Sequence, residues 1–195
     1  MTIDTDRSIE AMRRQLHAAG EVVQWLDANL DSVAAIGTEM LNVLEKGGTI
    51  WTAGNGGSAT HAMHLAEELL GRYRETRQPL ASACLHADPS ALTCIANDFG
   101  YEAIFSRSLE GLGRGGDALV VLSTSGNSPN ILRALDTAGS LGIHTIGLLG
   151  RDGGSALTQC TQSLVVPFED SATIQEGHHL VLHLLCELID AAYTN

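Results

Sequence analysis

Aromatic residues make up only 4% of this 195-residue chain, and proline and cysteine occur four times each. The cysteines, Cys84, Cys94, Cys160 and Cys186, show no CxxC spacing and sit mostly in apolar runs, so they read as reduced small hydrophobes and not as a disulfide framework. No apolar run approaches the roughly 18 residues of a membrane span, and the opening MTIDTDRSIEAMRRQL lacks the apolar centre of a signal peptide. A cytoplasmic protein is expected. Positive charge is also scarce: 11 Lys and Arg face 23 Asp and Glu, a formal net charge of −12. That field repels phosphate backbones and anionic lipid, so neither a nucleic-acid nor a membrane partner is expected. An anionic ligand would have to be trapped locally, by oriented N–H and hydroxyl groups.

Glycine, by contrast, is abundant at 21 residues, and 44% of the chain is hydrophobic. This balance favours an α/β fold with tight strand-to-helix turns, and the length suits one compact domain. From about Asp6 to Glu45, Ile9, Met12, Leu16, Val22, Leu26, Val33, Ile36, Met40 and Leu44 recur at helical spacing. Gly20 and the Asn29–Ser32 stretch predict two helices, with Asp31 or Ser32 capping the second. Residues 1–46 are thus expected to form a helical arm that packs either on a partner subunit or on the chain's own sheet. Residues 47–195 form the α/β domain, the whole being one structural unit.

Short apolar runs at 49–53, 80–85, 118–122, 143–149 and 163–166 predict five strands, separated by helical segments at 61–73, 89–95, 101–112, 130–141 and 173–193. Continuous apolar strands alternating with helices indicate a parallel sheet covered on both faces. Ligands bind such sheets beyond the carboxyl ends of the strands. Two loops there hold most of the glycine and hydroxyl content: Gly54-Asn55-Gly56-Gly57-Ser58 and Ser123-Thr124-Ser125-Gly126-Asn127-Ser128. Each opens a helix, whose free N–H groups suit an anion. Either alone is equally consistent with a plain helix cap. Two at the strand ends of one sheet argue for a phosphate site that needs no Lys or Arg.

The helix after the first loop carries His64 and Glu68 four residues apart, on one face. The closing helix carries Gln175, His179 and His183 at the same spacing, among Leu180, Val181, Leu182, Leu184, Leu185 and Ile189. His64, Glu68, Gln175 and His183 suit zinc or a similar divalent ion. Equally, Glu68 and His183 suit an acid/base pair that moves a proton between adjacent carbons. His178 and His179 read as groups supporting such a site; His61 is a weaker ligand candidate, and His17, His86 and His144 carry no site signal.

The runs GNGGSATHAMHLAEELLGRYRETR, IANDFGYEAIFSR, STSGNSPN and IQEGHHLVLH together resemble the phosphoheptose isomerase branch of the SIS (sugar isomerase) family, in order from about residue 45 to 190. The resemblance implies a flavodoxin-like five-stranded parallel sheet and a homotetramer with sites at subunit boundaries. It implies aldose–ketose interconversion of sedoheptulose 7-phosphate and D-glycero-D-manno-heptose 7-phosphate, the first step of nucleotide-activated heptose biosynthesis. Substrate-binding positions are then Asn55, Gly56, Gly57, Ser58, Glu68, Asn97, Asp98, Ser123, Thr124, Ser125, Ser128 and Gln175. Zinc falls at His64, Glu68, Gln175 and His183, with Glu68 and His183 as the acid/base pair. Thr173, in place of a cation, and His86, in place of a hydroxyl-rich run, depart from the family pattern at positions expected near the sugar. SIS domains also occur as non-catalytic proteins that bind a sugar phosphate or a partner such as the replication initiator; these have no chemical need for a carboxylate at 68 or an imidazole at 183.

Overall fold

A computed structural model describes residues 4–194. Its strands are β1 (Ile50–Gly54), β2 (Ser82–Cys84), β3 (Ala118–Ser123), β4 (His144–Gly150) and β5 (Gln162–Val166). They form one sheet in the order β2-β1-β3-β4-β5, with every neighbouring pair parallel. The helices are α1 (Thr5–Asp27), α2 (Leu30–Glu45), α3 (Gly57–Leu70), α4 (Pro89–Phe99), α5 (Ile104–Leu112), α6 (Pro129–Leu141) and α7 (Ser171–Tyr193). This is the expected flavodoxin-like arrangement. Its strand order reverses between β1 and β3, where the turns leaving the two strands part to opposite faces and open a crevice.

The period of two along a strand divides the core in two. On β3, Ala118, Val120 and Leu122 face Ile36 and Met40 of α2, Leu65 and Leu69 of α3, and Val181 and Leu185 of α7. Leu119 and Val121 face Phe105 and Leu109 of α5 and Ile131 and Leu135 of α6. Every β3 side chain is buried, as a central strand covered on both faces requires.

The N-terminal arm does part of its packing at home. Val22 and Leu26 of α1 and Val33, Ile36, Met40 and Val43 of α2 enter the chain's own core. Farther out on α1, Ile9, Met12 and Leu16 remain 44%, 63% and 71% exposed. Gly20 does not interrupt α1; the break falls at Ala28–Asn29. Asn29, and neither Asp31 nor Ser32, takes the capping position of α2, and its amide donates to the Trp25 carbonyl at 2.7 Å. The physical reason is that one short amide side chain closes the end of α1 while its backbone starts α2, leaving Asp31 and Ser32 inside the helix. The chain also forms short 3-10 turns at Tyr101–Ala103 and Gly154–Thr158, the second of which the sequence pattern does not announce.

The start of α7 is set by Asp170, whose carboxylate accepts from the Thr173 N–H at 3.0 Å and from its hydroxyl at 3.2 Å. Near its other end, Asp190 forms a buried ion pair with Arg77, Nε to Oδ1 2.7 Å, the side chains being 1% and 7% exposed. Arg77 also donates to the carbonyls of Glu68 and Leu69 at the end of α3, and Asp190 accepts from the backbone of Arg74 and Glu75. Burial alone would raise the Asp190 pKa, but these hydrogen bonds and the guanidinium hold it below the ordinary value. His178, wholly buried, donates from Nε2 to the Leu149 carbonyl at 3.0 Å. Burial depresses its pKa to about 4.

Two stability tests follow. Arg77→Ala leaves the Asp190 carboxylate buried without its cation, and is expected to cost about 3–5 kcal/mol in chemical denaturation; a loss near zero would show that the pair clamps nothing. His178 stays neutral in the fold while the unfolded chain takes up a proton below the ordinary 6.5, so its contribution is full above that value and falls as pH drops toward 4. Moving from neutrality to about pH 5 should therefore cost roughly 2 kcal/mol through this residue. His178→Gln should flatten that part of the stability–pH curve, and an unchanged slope would exclude this linkage.

Candidate functional site

Both small polar loops lie where the sheet topology opens. The β1–α3 loop and the β3–α6 loop leave adjacent strands in parallel register, Gly54 lying beside Leu122. Between them Asn55, Ser58, Ser123, Thr124, Ser125, Ser128 and Gln175 line a pocket of about 70 Å³. Gly56, at the start of α3, and Ser128, at the start of α6, make no side-chain capping bond; the Ser58, Ala59 and Ile131 N–H groups donate to carbonyls of their own turns, while those of Gly57 and Asn130 have no acceptor among the described residues and remain for a ligand. Gly126 has φ +61°, and a Cβ there would run into the Gly153 carbonyl, so only glycine closes this turn against its neighbour.

Two residues outside the expected set fix the loops to one another. Asn55 and the buried Asn130 exchange reciprocal amide bonds at 2.9 and 2.8 Å, and the Tyr101 hydroxyl donates to Asn55 Oδ1 at 2.9 Å. Asn130 Oδ1 also accepts from the Ile131 N–H. Asn130 follows Pro129 and reads in sequence as an ordinary first-turn polar residue; nothing local announces a partner 75 positions away.

α3 and α7 lie side by side and run in the same direction, meeting turn by turn. Gln175 reaches Gly57: a Cβ there would stand 2.6 Å from Gln175 Oε1. One turn on, the rings of His61 and His179 lie 5.0 Å apart. His64 then faces both His179 and His183, each at 5.2 Å, and bonds Glu68 with Nε2 3.0 Å from Oε1. The two groups expected to act as acid and base, Glu68 and His183, are thus brought to one place. His179, expected only to support the site, stands within it: donor atoms of His64, His179 and His183 all lie within 4.8 Å of one another. The signal was the spacing of four that it shares with Gln175 and His183.

The electrostatics favour neutral rings. Burial, then His64, lowers the His183 pKa, partly offset by Glu68; burial, then His183 and His64, lowers that of His179. Imidazole nitrogens beside a carboxyl group fit a divalent cation of the zinc type by donor chemistry.

The remaining expected residues are placed differently. Asn97 and Asp98, on α4, are exposed and bond each other at 2.7 Å, and among the described residues neither is hydrogen-bonded to the pocket. Thr173 is buried at the start of α7 and receives a 3.5 Å bond from Gln15 of α1, away from the hydroxyl pocket. His86 packs beside Phe105 and donates to the Ala59 carbonyl at 3.1 Å, bracing the first turn of α3. A larger, mostly apolar groove of about 540 Å³ opens beside His183, walled by Val23, Leu26, Leu30, Tyr73, Leu180 and Leu184.

Comparison with known proteins agrees with this geometry. The SIS domain family matches residues 16–150. Phosphoheptose isomerase 1 of Campylobacter jejuni is 43% identical over 185 residues, covering 95% of this chain and 100% of that protein. The structure of a phosphoheptose isomerase from Neisseria gonorrhoeae superposes with a TM-score of 0.85 at 37% identity, over 96% of this chain and 98% of that one. One from Francisella tularensis gives 0.85 at 32% identity, over 97% and 100%. The chain belongs to the phosphoheptose isomerases, within the SIS domain family.

Proposed function

We propose that this protein is an aldose–ketose isomerase that converts sedoheptulose 7-phosphate to D-glycero-D-manno-heptose 7-phosphate through an enediol, supplying the first step of nucleotide-activated heptose biosynthesis. The observation that carries the reading is the convergence of Glu68 and His183 at one end of a helix pair whose other end closes on the hydroxyl pocket.

The pocket takes the phosphate. Ser123, Thr124, Ser125 and Ser128 donate hydroxyls, the starts of α3 and α6 add N–H groups, and Asn55 and Gln175 supply amides. Anchoring the distant phosphate positions C1 and C2 of the open-chain sugar against α3 and α7, which turns a diffusive encounter into a fixed geometry. Glu68 and His183 divide two proton transfers. One takes the proton from the carbon beside the carbonyl, and the other moves a proton between the two oxygens. His64 holds Glu68 in place through the 3.0 Å bond. His183, whose pKa is lowered by burial and then by His64 against a partial offset from Glu68, is a candidate to accept one of these protons.

Zinc is the cofactor we propose, held at His64, Glu68, Gln175 and His183. When bound, it would stabilise the negative charge that develops on the enediolate oxygens. The protein is proposed to be cytoplasmic and to work as a homotetramer. The exposed Ile9, Met12 and Leu16 of α1, together with the apolar groove beside His183, form a surface that a second copy would cover. Asn97 and Asp98 are proposed to reach substrate from their exposed position on α4 in that assembly. The arm, residues 1–46, then serves both the chain's own core and the contact between subunits.

The test is turnover of sedoheptulose 7-phosphate, followed by appearance of the aldose phosphate. Glu68→Gln and His183→Ala should each lower kcat by about 10²–10⁴-fold with the fold intact. Turnover by neither wild type nor variants, in zinc-supplemented protein, would refute the enzyme reading. Asn130→Ala should free Asn55 and loosen both loops, raising KM for the phosphorylated sugar about tenfold or more with a smaller change in kcat. A kcat loss at unchanged KM would place Asn130 in the chemistry and not in anchoring.

A further inference from the structure

We infer that His86 is a positioning residue for the phosphate pocket. By hydrogen-bonding the Ala59 carbonyl it fixes the first turn of α3, and with it the Gly57 N–H and the Ser58 hydroxyl that meet the phosphate. The inference rests on the phosphate reading above and adds to it a residue that does not itself line the pocket.

The donor stands on a rigid base. His86 follows β2 in a turn closed by the Ala87 N–H on the Cys84 carbonyl at 3.1 Å. The Leu85 N–H ties the same turn to β1 through the Thr52 carbonyl at 2.9 Å. The His86 ring is half-buried, with the Cys84 sulfur 3.2 Å from Nδ1 and 3.3 Å from Nε2. Nearly equal distances to both nitrogens place the sulfur over the face of the ring and not on one in-plane lone pair, a soft contact of sulfur with a π system. The Phe105 ring packs 5.7 Å away, tilted by 57°. Held in this way, the ring presents Nε2 to the Ala59 carbonyl at 3.1 Å. A neutral imidazole carries its proton on Nε2 to make that bond, and an imidazolium has one there as well, so the tie holds in either state.

α3 is suspended from the sheet by two side chains. Thr52 of β1 donates to the Ala62 carbonyl at 2.7 Å, and His86, at the end of β2, donates to that of Ala59. Residues three apart share one face of a helix, so the two donors fix the rotation of α3 as well as its height above the sheet. Gly54 sets the closest approach: a Cβ there would stand 2.5 Å from the Ser58 carbonyl oxygen, so β1 and this turn already touch. Ser58 is only 3% exposed and lines the pocket. No side chain caps the start of α3, and the Gly57 N–H has no acceptor among the described residues. The turn is therefore held from outside, at Ala59, while its own opening is left for the ligand. Without the His86 donor it is held only at Ala62, farther along the helix from the phosphate.

The experiment compares phosphate affinity with turnover in full-length protein. The dissociation constant of inorganic phosphate is titrated by phosphorus NMR, and kcat and KM are measured on sedoheptulose 7-phosphate. His86→Phe keeps a ring beside Cys84 and Phe105 but has no donor. It should raise the phosphate dissociation constant and KM about fivefold or more, with kcat within about twofold of wild type. His86→Gln places an amide N–H where Nε2 stands and should restore both constants to within about twofold, whereas His86→Asn, whose amide stops one bond short, should not. Rescue by Gln and not by Phe assigns the effect to the hydrogen bond, since a residue that only fills space is better replaced by a ring. Wild-type constants in His86→Phe and His86→Asn would overturn the inference, as would a loss of kcat at unchanged KM. If His86→Phe does not fold, the Gln and Asn variants decide between the same outcomes. Ser125→Ala, in the pocket itself, tests the reading beneath. Phosphate weakened by Ser125→Ala but not by His86→Phe would overturn the positioning role alone. Phosphate unmoved by Ser125→Ala would overturn the pocket assignment, and this inference with it.

Discussion

The chemistry of this fold depends on holding α3 and α7 at one separation and in one register, and a single buried guanidinium does much of that. Arg77 reaches the last carbonyls of α3 at Glu68 and Leu69 and, on its other side, the Asp190 carboxylate of α7. Neither partner is exposed enough to find a substitute in water. Its position matters more than its energy: one of the carbonyls it binds belongs to Glu68 itself. The backbone that carries the carboxylate is therefore tied to the helix that carries the imidazoles. At the opposite end, the glycine at 57 lets the two helices close on the Gln175 amide. Between these ends, polar pairs recur at each turn on surfaces that are otherwise apolar.

The two halves of the site use different physics. The phosphate end is built from loops whose hydroxyls and first-turn N–H groups carry no net charge, arranged by topology at the place where the strand order reverses. The reacting end is built from helix side chains, whose rigid backbone fixes positions to within a rotamer. Asn130 couples the loops across 75 residues of sequence, and Tyr101 adds the corner after α4 to the same hydrogen-bond group. The two loops and the two helices thus share one scaffold.

Much of this was legible in the sequence, for reasons that differ by element. Strands such as 118–122 are unbroken apolar runs because both faces are covered, and the fold class follows from their alternation with helices. The two loops stand out because glycine and serine concentrate there. The convergence of residues 68 and 183 was reached by helical spacing together with the family resemblance. What sequence concealed were long-range pairings of polar groups. Arg77 and Asp190 look like surface charges until the packing buries both. Asn29 outcompeted Asp31 and Ser32 because it serves two helix ends at once. His179 was visible by its spacing, yet a period of four cannot say which of three successive turns faces the neighbouring helix. The exposed placement of Asn97 and Asp98, away from the pocket of a single chain, is likewise a tertiary fact that their local sequence does not encode.

The uncharged character of the anion pocket has a kinetic side. A chain of net charge −12 repels a sugar phosphate on approach, and neutral donors exert no long reach to offset that repulsion. Added salt shortens the range of the repulsion to a Debye length of about 8 Å near physiological ionic strength, while hydrogen bonds made at contact are screened far less. With the phosphate held in the pocket proposed above, substrate capture would quicken as ionic strength rises, the reverse of an enzyme that draws its anion in with lysines.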